Sequence, residues 1–235
     1  MKIHRFIGSY DLSGDTVEIL DPKIIKQIRA VLRLEKGEQI ILSTGKGKEA
    51  LVTLDLISSS KITGTIEKVE NKNNIEKKVH LYLAILKKEN FELAVQKAVE
   101  AGVSSITPVI TERTVKTGLN ISRLEKIILE ASEQSGRSVV PTLSPILEFS
   151  PALAFGSAAQ EKTIFHLVDE AYKPDSVRVA NAKTASIFIG PEGGFTDGEI
   201  KEAEAAGYTV ASLGPLTLRG ETAAIIATYL SVHVN

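Results

Sequence analysis

Ile187-Phe188-Ile189-Gly190-Pro191-Glu192-Gly193-Gly194-Phe195-Thr196 passes from an unbroken apolar segment through a glycine-rich turn to the start of a helix. A short apolar run of this kind, with no polar alternation, reads as a strand buried on both faces, as in a parallel sheet. Thr196 with Glu199 three residues on is a capping box, in which each side chain satisfies a backbone N–H at the helix start. Strand, turn and helix in this order make the place where open α/β sheets bind ligands, outside the carboxyl ends of the strands. The glycines allow close backbone approach, and Pro191 stiffens the turn. The same residues serve equally well as a tight connection. A phosphate cradle is excluded because no Gly-Lys-Ser/Thr follows, and the Gly-x-Gly-x-x-Gly dinucleotide spacing is absent. Glu192 disfavours phosphate and suits a ligand carrying hydroxyls or positive charge.

A second loop repeats the design. Leu213-Gly214-Pro215-Leu216-Thr217-Leu218-Arg219-Gly220-Glu221-Thr222-Ala223 again follows an apolar strand and opens a helix. Two such loops in one domain can wall a single slot. Arg219 and Glu221 sit at a helix start, either as chemistry-bearing residues or as a surface ion pair of little energetic weight.

Upstream, strands and helices alternate. Strands are expected at Val79–Leu86, Val103–Ile110, Thr163–Val168, Thr184–Ile189 and Tyr208–Leu213. Helices are expected at Phe91–Ala101, closed by Gly102; from a capping box at Ser122 and Glu125 to Gly136; from Ser150-Pro151; and over Glu221–Val234. This alternation implies a mostly parallel sheet with helices on both faces. Residues 1–70 differ. Thr16–Leu20, Glu38–Thr44, Glu49–Ile57 and Lys61–Glu70 are short β-rich runs at about ten-residue spacing, which suggests a small barrel. One helix, Pro22–Leu34, interrupts them with Ile24, Ile28, Val31 and Leu32 on its apolar face. Asn71–Lys78, polar and aperiodic, reads as a linker between domains 1–70 and 79–235.

At 235 residues the chain accommodates two modest domains. With no cysteine, disulfides, thiolate metal sites and a cysteine nucleophile are excluded. His4, His80, His166 and His233 show no metal-ligand spacing, so no metal is expected. No signal core or membrane-length apolar run is present, and a cytoplasmic protein is the expectation. The net charge of −1 is unevenly spread. Residues 1–78 carry 14 Lys/Arg against 11 Asp/Glu, and the remainder 14 against 18, which directs any RNA-facing surface to the N-terminal end.

The two loops resemble the signature loops of the RsmE family, the small-subunit (16S) ribosomal RNA uridine-N3 methyltransferases of the SPOUT superfamily. Further blocks resemble the family in order: His4-Arg5-Phe6, Val31-Leu32-Arg33-Leu34 with Gly37, Lys97–Val103, Thr111-Glu112-Arg113, and Glu130–Arg137 with Pro141. The resemblance implies a small PUA-like β-barrel followed by an α/β SPOUT domain tied in a trefoil knot. It also implies S-adenosylmethionine as cofactor, ribosomal RNA as substrate and a homodimer paired through the knot. Gln27, Ala30, Leu216 and Gly220 depart from residues frequent in the family, mainly on the presumed RNA side.

On this reading Leu167, Gly190, Pro191, Glu192, Gly193, Gly194, Leu213, Gly214 and Leu218 hold the cofactor. Arg219 stabilises the uracil oxyanion formed as N3 loses its proton, and Glu221 orients Arg219 or accepts that proton. Arg5, Arg29, Arg33, Arg113 and Arg137 are expected at RNA phosphates. Two other readings share these features: a SPOUT enzyme acting on another RNA such as transfer RNA, and a non-catalytic RNA-binding protein.

Overall fold

The computed structural model describes residues 3–72, 75–115, 117–167 and 181–234. Its chain forms two compact units, Met1–Asn74 with Ser132–Val140, and Ile75–Ala131 with Pro141–Asn235.

The first unit is built on a five-stranded sheet of β1 (His4–Ile7), β2 (Thr16–Ile19), β3 (Gln39–Ser43), β4 (Lys48–Ile57) and β5 (Ile62–Asn71). The order is β1-β3-β4-β5-β2, antiparallel except for β1 with β3. Register shifts near Leu51/Val52 and Leu54/Leu56 bulge the β4–β5 pair, the device by which a sheet bends toward a barrel. Alternate residues Ile40, Leu42, Ala50, Val52, Leu54 and Ile62 point into one core with Phe6, Val17 and Ile19. Each expected run in 16–70 is a strand within a residue or two at either end, and β1 is an addition.

The expected helix Pro22–Leu34 is two pieces. After Asp21 Oδ1 caps the Lys23 N–H at 2.7 Å, α1 (Pro22–Lys26) widens into a π-helical turn over Gln27–Leu32. A π turn carries more residues per turn than 3.6, so the apolar spacing slips. Ile24, Ile25 and Ile28 are buried, but Val31, expected on the same face, is exposed. Arg33 ends the turn in the left-handed region at φ 55°.

Ser132–Val140, read from sequence as part of the second domain, belongs to the first unit. Glu133 Oε1 accepts the Ile7 N–H at 2.7 Å, Gly47 N–H donates to the Ser138 carbonyl at 2.9 Å, and Val140 N–H to that of Gly45 at 2.9 Å. These long-range bonds leave no trace in local pattern. Of the expected linker, Asn71 ends β5, Lys78 opens the next strand, and residues 73 and 74 lie outside the described residues.

The second unit holds a parallel sheet of seven strands: β6 (Lys78–Ala84), β7 (Ser105–Ile110), β8 (Thr142–Leu143), β9 (Leu147–Glu148), β10 (Glu161–Phe165), β11 (Thr184–Ile189) and β12 (Thr209–Ala211). Their order is β12-β10-β11-β6-β7-β8, with β9 also on β7. Val168, expected at the end of β10, lies outside the described residues. On one face α2 (Lys88–Ala101) packs against α6 (Gly220–His233), which also touches β6 and β11. On the other, α4 (Phe149–Gly156) and α5 (Asp197–Ala205) cover Tyr82, Val109, Ile164 and Phe188. α3 (Ile121–Ser135) is capped by Asn120, whose Oδ1 accepts the Arg123 N–H at 3.1 Å. The Ser122–Glu125 box expected there does not form, because Asn120 already supplies the cap two residues earlier. The Thr196–Glu199 box is present.

The last helix does not stay beside edge strand β12. It returns past β10 to lie over β11 and β6, the back-crossing that a knotted arrangement requires.

Candidate active site

Parallel pairing aligns the carboxyl ends of four strands. Ile189 is level with Leu83 on β6 and Phe165 on β10, and Phe165 is level with Ala211 on β12. The segments leaving these strands therefore emerge side by side, and between them lies a cleft of about 730 Å³. That is within the roughly 300–1,000 Å³ of small-molecule sites.

Eight of the nine residues expected to hold a cofactor line this cleft: Leu167, Gly190, Pro191, Glu192, Gly193, Gly194, Leu213 and Leu218. Gly214 lies outside the lining, and its φ of 138° turns the chain after Leu213. Arg219 and Glu221 both line the cleft. The sequence reading missed Lys87, Asn90, His166 and Ser212, which line it too. His166 and Ser212 adjoin Leu167 and Leu213 in sequence, whereas Lys87 and Asn90 follow β6, which becomes a neighbour of β11 only once the sheet is assembled.

The first loop is fixed by its surroundings. Gly194 N–H closes a turn on the Pro191 carbonyl at 2.8 Å. A Cβ at Gly190 would stand 3.1 Å from two ring carbons of Phe195, which is itself buried against Phe149. Glu192 Oε1 accepts the Lys87 N–H at 3.1 Å, at the N-cap of α2, where no local side chain caps. One oxygen of Glu192 is thus engaged by the protein itself.

The second loop ends where α6 begins. A Cβ at Gly220 would meet Leu86 Cδ2 at 2.8 Å and the Gly190 carbonyl at 3.5 Å, so the helix start is drawn tightly onto the first loop. Glycine at this departure from the family therefore matches the packing of Leu86. Arg219, the N-cap residue, is exposed and its side chain makes no cap hydrogen bond. Glu221 is only 7% exposed, and its Oε2 is buried with no hydrogen-bond partner. Among the described residues no ion pair joins Glu221 to Arg219.

The five arginines expected at phosphates separate. Arg29 and Arg33 are exposed and line a groove of the first unit with Lys36. Arg5 is instead ion-paired to Glu49, whose side chain is only 4% exposed. Arg137 is 8% exposed, its Nε donates to the Val139 carbonyl at 3.2 Å, and burial lowers its pKa to about 10. These two arginines serve the interior of the first unit, and their reading as phosphate contacts is corrected. Arg113 faces the glycine loop, donating from Nη1 to the Gly193 carbonyl at 2.6 Å.

Among the described residues no group of three or more His, Asp or Glu could hold a metal, and no helix is long and apolar enough to cross a membrane.

Comparison with known proteins agrees with this geometry. Residues 72–231 match the family model described as an RNA methyltransferase domain. The ribosomal RNA small subunit methyltransferase E of Mesomycoplasma hyopneumoniae is 37% identical over 176 residues, covering 72% of this chain and 76% of that one. Its counterpart from Rickettsia conorii is 28% identical over 234 residues, 97% of this chain and 94% of that one. The crystal structure of the Neisseria gonorrhoeae enzyme of that name, bound to S-adenosyl methionine, superposes with a TM-score of 0.87 at 31% identity, covering 97% of this chain and 95% of that one. A putative methyltransferase of Legionella pneumophila, solved with SAM bound, gives 0.85 at 32%, covering 98% and 97%. Two glycine loops closing one cleft, and similarity along nearly the whole length, lead to one conclusion: the chain belongs to the ribosomal RNA small subunit methyltransferase E family of RNA methyltransferases.

Proposed function

We propose that this protein transfers the methyl group of S-adenosylmethionine to N3 of a uridine in small-subunit ribosomal RNA. The observation that carries this reading is the cleft itself. Its walls are two glycine loops with no room for a Cβ at Gly190 or Gly220 without a shift, and it holds a buried carboxylate oxygen still lacking a partner. Backbone amides of such loops suit the polar edge of an adenine, while Leu167, Pro191, Leu213 and Leu218 offer it apolar cover. When bound, the cofactor supplies an electrophilic methyl group.

The protein's part is placement and charge. Holding the base in line within the cleft removes much of the entropic barrier. Arg219, exposed at the rim, stabilises the negative charge that spreads onto the uracil oxygens as N3 is deprotonated. Glu221 accepts the imide proton at its free Oε2. Arg29, Arg33 and Lys36, which share their groove with Glu35 and Asp55, offer the first unit's contacts for phosphates. The exposed side of α6, with Tyr229 against His233 at 4.8 Å between ring centroids, supplies a surface for pairing two copies. Threading of the 213–223 loop past the 190–196 loop as a trefoil knot belongs to the same reading.

Transfer of a labelled methyl group to purified small subunits, followed by digestion to nucleosides, tests the reaction. The product is 3-methyluridine. Label on any other base, or on ribose, refutes the N3 assignment. Arg219→Ala is expected to bind cofactor as wild type and to turn over about 10²–10³-fold more slowly. Unchanged turnover removes its role.

A further inference from the structure

We infer that Arg113 is a positioning residue of the cofactor loop and not a phosphate contact; this rests on the reading of the cleft as the S-adenosylmethionine site. Arg113 follows β7, in a turn that its own neighbours hold. Thr114 N–H donates to the Thr111 carbonyl at 3.0 Å, and Thr111 N–H to Thr114 Oγ1 at 2.9 Å. The adjoining Glu112 is tied to the start of α5. Its N–H donates to Glu199 Oε1 at 2.9 Å, and its Oε2 accepts from Thr196 Oγ1 at 3.2 Å. From this fixed base the Arg113 side chain lies along the glycine loop. A Cβ at Gly193 would stand 3.3 Å from Arg113 Cδ and 3.5 Å from its Cβ. Arg113 Nη1 donates to the Gly193 carbonyl at 2.6 Å and to that of Phe195 at 3.4 Å.

The loop needs such an anchor. Glycines at 190, 193 and 194 give it more backbone freedom than any other composition would, and that freedom is lost when a ligand orders it. One hydrogen bond within the loop, from Gly194 to Pro191, restrains it locally. Arg113 adds a charged donor from the segment after β7, and Glu192 ties the loop to Lys87 in the segment after β6. The segments after β6 and β7 thus hold the loop ready, and binding no longer has to order it.

The test is calorimetry of S-adenosylmethionine with the full-length protein, alongside steady-state kinetics and RNA binding at several salt concentrations. Arg113→Ala is expected to weaken cofactor binding about tenfold, equivalent to roughly 1.4 kcal/mol. The kinetic loss falls on the KM for the cofactor rather than on kcat. The salt dependence of RNA affinity stays that of wild type. Arg113→Lys, which keeps a donor but not the fork, gives an intermediate affinity and serves if the alanine variant fails to fold. A wild-type cofactor affinity in either variant, with a salt slope shallower by about 0.9, assigns Arg113 to phosphate and overturns the inference. Equal loss on kcat alone also overturns it. If the wild-type protein binds no S-adenosylmethionine, the underlying cofactor reading fails instead, and the two failures are distinguishable.

Discussion

Glu192→Ala separates two roles that the sequence leaves merged. In the structure its carboxylate accepts the Lys87 N–H at 3.1 Å, 105 residues away in the chain. It does for α2 what an N3 glutamate does in a local capping box, where Asn90 now stands. Loss of an N-cap interaction costs about 0.5–2 kcal/mol. Because Glu192 is exposed, solvent competes for the same N–H, and about 1 kcal/mol is the expected loss. For a protein of this size that lowers the melting temperature by roughly 2–4 °C. Loosening one of the loop's anchors also weakens cofactor binding by a few-fold, while Glu192→Gln, which keeps an acceptor, lies between. Thermal unfolding and calorimetry on the same samples provide both numbers. A variant as stable as wild type but more than about a hundredfold weaker toward cofactor would refute the reasoning, since the carboxylate then meets the ligand and not the helix.

Other consequences follow from particular contacts. Arg29→Ala and Arg33→Ala should each flatten the salt dependence of RNA binding by about 0.9, whereas Arg137→Met, in the interior of the first unit, should show its effect in a stability measurement. Lys77 Nζ and Glu161 Oε2, 2.7 Å apart with side chains 12% and 5% exposed, form a buried pair. Lys77→Ala strands the carboxylate and should cost about 3–5 kcal/mol in denaturant unfolding, more than Lys77→Ala combined with Glu161→Leu. Glu70, hydrogen-bonded by Lys68 and Lys72, has its pKa lowered from 4.5 to about 2. A carboxylate depressed in the folded state contributes stability that is complete above about 4.5 and is lost as pH falls toward 2. An NMR titration of Glu70 should give that low midpoint in the wild type and a higher one in Lys72→Ala; equal midpoints remove the lysine contribution.

The sequence alone determined the features whose cause is local or periodic. β11 was legible as Thr184–Ile189 because an unbroken apolar run fits a strand buried on both faces. The Thr196 cap was legible because a capping box is complete within four residues. The two Gly-Pro loops could be paired as walls of one slot because each leaves a buried strand for a helix. Local spacing misled where the π turn carried Val31 out to solvent, and where Asn120 took the cap expected of Ser122.

Only the tertiary structure decided what each charged side chain touches. Arg5, Arg113 and Arg137 look alike in sequence, yet one pairs with Glu49, one braces a glycine loop and one is buried near Val139. Lys87 entered the cleft, and Ser132–Val140 joined the first unit, through contacts made across long stretches of chain. The physical reason is the range of the interactions. Hydrophobic period and capping act within a few residues, and so are written in order along the chain. Salt bridges, hydrogen bonds and close packing act between whatever atoms the sheet order brings within a few ångströms. That order, β12-β10-β11-β6-β7-β8, is not the order of the sequence.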